Sequence, residues 1–244
     1  MYLKTLSNLT YSFEILPFLF CLIFYKKINT RALKVFFIYT LLLSFFIFIN
    51  YYLLYIRESK DHVKEYYLIN VRTYVITEYI LLALFFFCTI KSKIPKNIIL
   101  FSALPFTIFC ILNYFSSDPL VFNNKTLLAE FSLFIIVIVY FFFEKMRIVT
   151  RIPLYQSITF WLCVGLFIYF TGNFFYLLFT STATDLKFKA QMHIIYSIVT
   201  ITKDIILSLA WFAFEQKVTI EDELRIPKDL HLDDDLSFTL PTNP

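Results

Sequence analysis

Apolar residues in this chain come in unbroken runs of about 20, the length that spans a bilayer as a helix. Charged clusters separate them through the first 214 residues. The runs cover 8–25, 35–56, 70–90, 97–115, 126–143, 156–180 and 192–214. This pattern predicts an all-α, polytopic integral membrane protein, with a seven-helix transmembrane bundle over 1–214 and a separate tail over 215–244. A transmembrane barrel does not fit, because its strands are about 9–11 residues long and alternate apolar with polar positions. A soluble domain of 244 residues could bury a good core without successive runs of this length.

Charge assigns an orientation. Of the 22 Lys and Arg, 13 lie in 26–34, 91–96, 145–151 or the tail, while the opposite connections carry Lys4, Arg57, Lys60, Lys64, Arg72, Lys125, Lys187 and Lys189. The positive-inside rule then puts the N-terminus outside and the C-terminus in the cytoplasm. Basic clusters such as Lys26–Lys27 read as topology signals and contacts to anionic headgroups, not as a nucleic-acid surface. Cys21, Cys88, Cys110 and Cys163 all fall inside spans, which marks them as packing residues. Residues 1–25 lack a small-residue cleavage site and lead straight into Lys26, so they read as the first helix and not a signal peptide. The 32 Phe and 17 Tyr are expected to supply lipid-facing bulk and interfacial belts.

The longer connections, 57–69, 116–125 and 181–191, all fall on the outer side. The first can hold a short surface helix, and Asn124-Lys125-Thr126 in the second has the form of a glycosylation acceptor. The tail holds eight of the 18 carboxylates and three prolines. That composition predicts disorder, with 229–238 as a segment that could order on a cytoplasmic protein partner.

Ionisable and amide side chains stand inside the spans where burial is costly. Lys203 and Asp204 are deepest, near the middle of the last span. Glu14, Asn50, Glu78, Glu130, Asn173 and His193 lie in the outer halves, with Asn113 near the outer end of the fourth span. On the last span, His193, Tyr196, Ser197, Thr200, Lys203, Asp204 and Ser208 share one sector at i, i+3, i+4 spacing. The pattern predicts an outward-facing pocket, formed by all seven helices and closed toward the cytoplasm, with Glu14, Asn50, Glu78, Glu130, Asn173, His193, Thr200, Lys203 and Asp204 as candidate ligand-binding residues. Two alternatives are snorkelling to headgroups, easiest for Arg72, Glu130 and His193, and separate hydrogen bonds between helices. Adjacent side chains on a helix point about 100° apart, so Lys203 is expected to pair with Glu78, or next with Glu14, and not with Asp204. Pro17 can kink the first helix and free a carbonyl. The chain's two glycines, Gly165 and Gly172, lie seven apart on one face, as close helix packing or a hinge beside Asn173 requires.

Through FWLCVGLFIYFTGNFF (160–175) and IVTITKDIILSLAW (198–211), the chain resembles an uncharacterised group of bacterial seven-helix membrane proteins, similar to the seven-helix input modules of some sensor kinases. The resemblance implies a multi-pass protein of the bacterial inner membrane with a sensory or receptor-like role. Here a short tail stands where those modules carry a transmitter domain. The expected function is therefore a sensor taking a small-molecule or ion ligand and signalling through helices 6 and 7 and the tail. A small-solute transporter is the alternative, and an intramembrane enzyme is a third. No nucleophile–base pair and no metal-ligand set stand out, so no catalytic residue, metal or cofactor is expected.

Overall fold

The computed structural model describes residues 2–56, 61–116, 124–147, 153–182 and 185–213. The acidic tail and the proposed docking segment 229–238 lie outside them, as do Asn123 and parts of the other outer connections. Among the described residues, eight α-helices run in order: α1 (Tyr2–Glu14), α2 (Leu16–Ile23), α3 (Arg31–Ile56), α4 (Asp61–Thr89), α5 (Lys93–Ser116), α6 (Asn124–Arg147), α7 (Ile158–Thr182) and α8 (Leu186–Leu209). Helices α1 and α2 together form the first of seven apolar spans, Thr5–Ile23. No strand occurs among the described residues. The protein is a seven-helix bundle of membrane-spanning segments.

Several helices begin before the apolar runs do. The third span starts at Glu65 and the seventh at Lys187, not at 70 and 192, because long or charged side chains can extend a helix into the headgroup region. The first span is broken at Ile15, between α1 and α2. Pro17, at the start of α2, has no N–H to donate to the carbonyl of Phe13, which accounts for the interruption.

Neighbours in sequence are neighbours in space, and α8 returns to pack on α1 and α2, so the spans close into a ring. Chain-distant bonds tie both ends. Ser7 Oγ lies 3.3 Å from His193 Nε2 on the face bearing the N-terminus. On the opposite face, Lys27 Nζ donates to the carbonyl of Trp211 at 2.7 Å. There too, Glu144 of α6 accepts from the backbone N–H groups of Lys91 at 3.0 Å and Ser92 at 2.8 Å, just before α5 begins.

The exterior is apolar. Phe101 and Ile94 are about three-quarters exposed, and a surface of this kind would drive aggregation in water but suits lipid. Lipid is as apolar as a leucine side chain, so the helices must be held by close packing and polar contacts. Aromatic rings contribute much of that packing. Phe36, Phe85, Phe86, Phe134, Phe141 and Phe170 are wholly buried, and the rings of Tyr79 and Phe106 stack with centroids 3.9 Å apart. Other rings, among them Phe45, Phe48 and Phe115, are exposed on the apolar exterior. Both glycines face α8. A Cβ on Gly172 would lie 2.6 Å from Val199 Cγ1, and one on Gly165 would lie 2.9 Å from Leu207 Cδ2. Missing side chains therefore permit the close α7–α8 approach. Cys21, Cys110 and Cys163 are buried, Cys88 is exposed, and all four are free thiols.

Candidate functional site

A cavity of about 510 Å³ lies within the bundle, walled from mid-helix up to the N-terminal face. Helix α1 contributes Tyr11 and Glu14, α3 contributes Asn50, and α4 contributes Tyr67, Tyr74 and Glu78. Asn124 and Phe131 come from α6, Tyr169, Asn173 and Tyr176 from α7, and His193 and Tyr196 from α8. Six spans build the wall. The fourth, α5, contributes no residue to it, which corrects the expectation of a seven-helix pocket. Asn113 of α5 instead lines a separate cavity of about 440 Å³ with Arg72 and Tyr114. There the Arg72 guanidinium lies 4.5 Å from the Tyr114 ring centroid, a cation–π contact where snorkelling alone was the alternative.

Of the nine candidate ligand-binding residues, Glu14, Asn50, Glu78, Asn173 and His193 line the central cavity. Glu130, Thr200, Lys203 and Asp204 are buried behind its wall. Glu130 is 0% exposed and neither of its carboxyl oxygens has a hydrogen-bond partner among the described residues. It faces inward, near Glu78, and does not reach the headgroups. On α8, the hydroxyls of Ser197, Thr200 and Ser208 donate to the carbonyls of His193, Tyr196 and Asp204. These i−4 bonds satisfy the hydroxyls within their own helix.

Lys203 Nζ lies 2.9 Å from Asp204 Oδ1, and both side chains are almost fully enclosed. The expectation that these neighbours are poor partners is therefore wrong. The 100° offset describes where their Cβ atoms point, whereas the four-carbon lysine stem can curl back across it. Glu14 and Glu78 act on the lysine from longer range. At that distance the contact is a buried ion pair, and the second carboxyl oxygen of Asp204 has no hydrogen-bond partner among the described residues. Lys203 also stands 4.6 Å from the ring centroid of Tyr169, and that ring separates the lysine from the cavity.

The cavity-facing groups are incompletely satisfied. Glu78 accepts from the Tyr39 hydroxyl at 3.0 Å. Tyr74 lies beside the same carboxylate, but the second oxygen has no hydrogen-bond partner among the described residues. Asn173 is buried with both amide atoms unpartnered. Glu14 ends α1 at the break, is half-buried, and makes no hydrogen bond or close ion pair among the described residues. Asn50, in contrast, is engaged: Asn70 Nδ2 donates to its Oδ1 at 2.7 Å and to the carbonyl of Phe46 at 3.2 Å. That contact stitches α3 to α4. No group of three or more His, Cys, Asp or Glu positioned for a metal ion occurs among the described residues.

Sequence reasoning missed Tyr11, Tyr67, Tyr74, Tyr169 and Tyr176. A signal for the last two exists: Tyr169, Asn173, Tyr176 and Thr180 repeat at i, i+4, i+7, i+11, one stripe of a helix. Tyr67, Val71, Tyr74 and Glu78 repeat it on α4, and all eight positions line the cavity. No protein-family model, curated protein or solved structure matches the chain.

Proposed function

We propose that this protein is a receptor- or sensor-like component of a bacterial inner membrane, with its N-terminus outside and its C-terminus in the cytoplasm. A small molecule or ion enters the cavity from the N-terminal face, and its occupancy is passed through α7 and α8 to a cytoplasmic partner of the tail. The observation that carries this reading is the cavity itself, a partly open space of about 510 Å³ whose wall holds Glu14, Glu78 and Asn173 with unfilled hydrogen-bonding capacity. The route onward is physical contact. Tyr169 touches both the cavity and Lys203, and Gly172 seats α7 against Val199 of α8. A ligand that displaces Tyr169 therefore acts on the buried ion pair.

The test is a thermal-melt screen of the protein in lipid nanodiscs against small molecules and ions, repeated with Glu78→Gln and Lys203→Met. A compound that stabilises the wild type should lose its effect in both variants. Unchanged melting and unchanged response in both would overturn the assignment. A second reading, a small-solute carrier, is favoured by the break in the first span beside Glu14, because interrupted helices build many carrier sites. Uptake of the stabilising compound into proteoliposomes would select the carrier; binding without uptake would select the receptor.

A further inference from the structure

We propose that the central cavity selects a small organic monocation, an ammonium-bearing molecule with an aromatic or alkyl body. This rests on the ligand-binding reading above and names its ligand class. The first argument is charge. The described cavity wall contains Glu14 and Glu78 and no Lys or Arg. The buried cation Lys203 is held by Asp204 at 2.9 Å and stands against the Tyr169 ring. An anion entering the cavity would meet two carboxylates and no exposed cation, whereas an ammonium would meet complementary charge.

The second argument is the wall's aromatic character. Rings from α1, α4, α7 and α8 surround the space, with Tyr176 and Tyr196 at a centroid separation of 5.1 Å. The face of a tyrosine attracts a cation, and more strongly once water is excluded. The third argument is unsatisfied polarity. Asn173 is 1% exposed, lines the cavity, and has neither its amide N–H₂ nor its carbonyl oxygen bonded. The second oxygen of Glu78, beside the Tyr74 hydroxyl, makes no aligned hydrogen bond among the described residues. Buried groups of this kind are costly unless an occupant completes them. An ammonium N–H donates to Glu78 and to the Asn173 oxygen, while a hydroxyl elsewhere on the ligand accepts from the Asn173 amide.

Size sets the scale. At about 30 Å³ for each water molecule, the cavity holds the volume of roughly 17 waters, within the usual range of small-molecule pockets. A hard divalent ion is held chiefly by clustered carboxylates, and no group of three or more His, Cys, Asp or Glu positioned for a metal occurs among the described residues. A body of aromatic-amine size, by contrast, fits both the volume and the rings.

The experiment measures binding to the full chain in nanodiscs by calorimetry, using phenethylammonium, choline, phenylacetate and 2-phenylethanol. Phenethylammonium should bind at least about tenfold more tightly than phenylacetate or 2-phenylethanol, as expected for one charge-assisted hydrogen bond, while choline, which has no N–H, reads the attraction of its charge to the rings and carboxylates alone. Glu14→Gln and Glu78→Gln should each weaken the ammonium by about tenfold while leaving the affinity for 2-phenylethanol unchanged. Melting without probe serves as the folding control, and the comparison of probes on the wild type needs no variant. If phenylacetate or 2-phenylethanol binds as tightly as phenethylammonium, the cation assignment is overturned while ligand binding at the cavity stands. If no probe of any charge binds, both are overturned.

Discussion

Replacing Lys203 by Met should be among the most damaging single changes to this bundle. Its Nζ lies 2.9 Å from Asp204 Oδ1. With an effective interior dielectric near 20, two unit charges at that distance attract by about 6 kcal/mol. Desolvating both ions offsets much of that gain, so the intact pair adds little net stability. Removing one partner is different, because it strands the other charge, at a cost of about 3–5 kcal/mol. Here the stranded Asp204 would also stand within electrostatic range of Glu14, which is itself near Glu78. Methionine fills most of the lysine's volume, so the loss is one of charge and not of packing. Asp204→Asn should cost less, since Lys203 keeps the Tyr169 ring and the longer-range field of Glu14 and Glu78. The double variant Lys203→Met/Asp204→Leu should recover most of the loss, as replacement of buried pairs by apolar residues commonly does. Equilibrium unfolding in mixed micelles, arranged as double-mutant cycles, measures each term. The coupling between Lys203 and Asp204 should exceed that between Lys203 and Glu78. A Lys203→Met protein within about 1 kcal/mol of wild type, against the 3–5 kcal/mol expected, would refute the reasoning, as would a larger coupling to Glu78.

Gly172→Ala should destabilise by about 1–3 kcal/mol through overpacking, because its Cβ would meet both γ-carbons of Val199, at 2.6 and 2.7 Å. A β-branched side chain cannot turn both aside; Val199→Ala should restore melting, and a Gly172→Ala protein as stable as wild type contradicts the packing. Gly165→Ala should be milder, since the atom it meets is the flexible end of Leu207. Glu144→Ala leaves the N–H groups of Lys91 and Ser92 without their acceptor, and should cost about 1–3 kcal/mol. Amide hydrogen exchange at those two positions should rise; exchange unchanged there would show that the cap is not holding the start of α5.

The spans were legible because a bilayer demands long apolar runs, and little else produces them. Their ends were not, since charged residues such as Glu65 and Lys187 belong to the helices without being apolar. Glu14, Glu78 and Asn173 could be singled out because burying them is expensive. The tyrosines of the same cavity were hidden among 17 Tyr and 32 Phe, although their helical stripes were present. The Lys203–Asp204 pairing escaped a rule about backbone direction because lysine's reach exceeds that rule. Glu130 was a pocket candidate with snorkelling to headgroups as its alternative, and it lies off the cavity wall. Depth alone does not say which way a side chain faces, and this one faces inward.

Accessibility of the cavity from one side of the membrane is the most direct test. With Cys21, Cys88, Cys110 and Cys163 replaced, single cysteines would be placed at Tyr196, on the cavity wall, and at Ser208, buried beyond it. Sealed vesicles of both orientations would then be treated with a small, impermeant thiol reagent. Tyr196→Cys should react only when the N-terminal face is presented, and Ser208→Cys from neither side. Labelling of Tyr196→Cys from the opposite face, or from neither, would contradict a one-sided polar cavity.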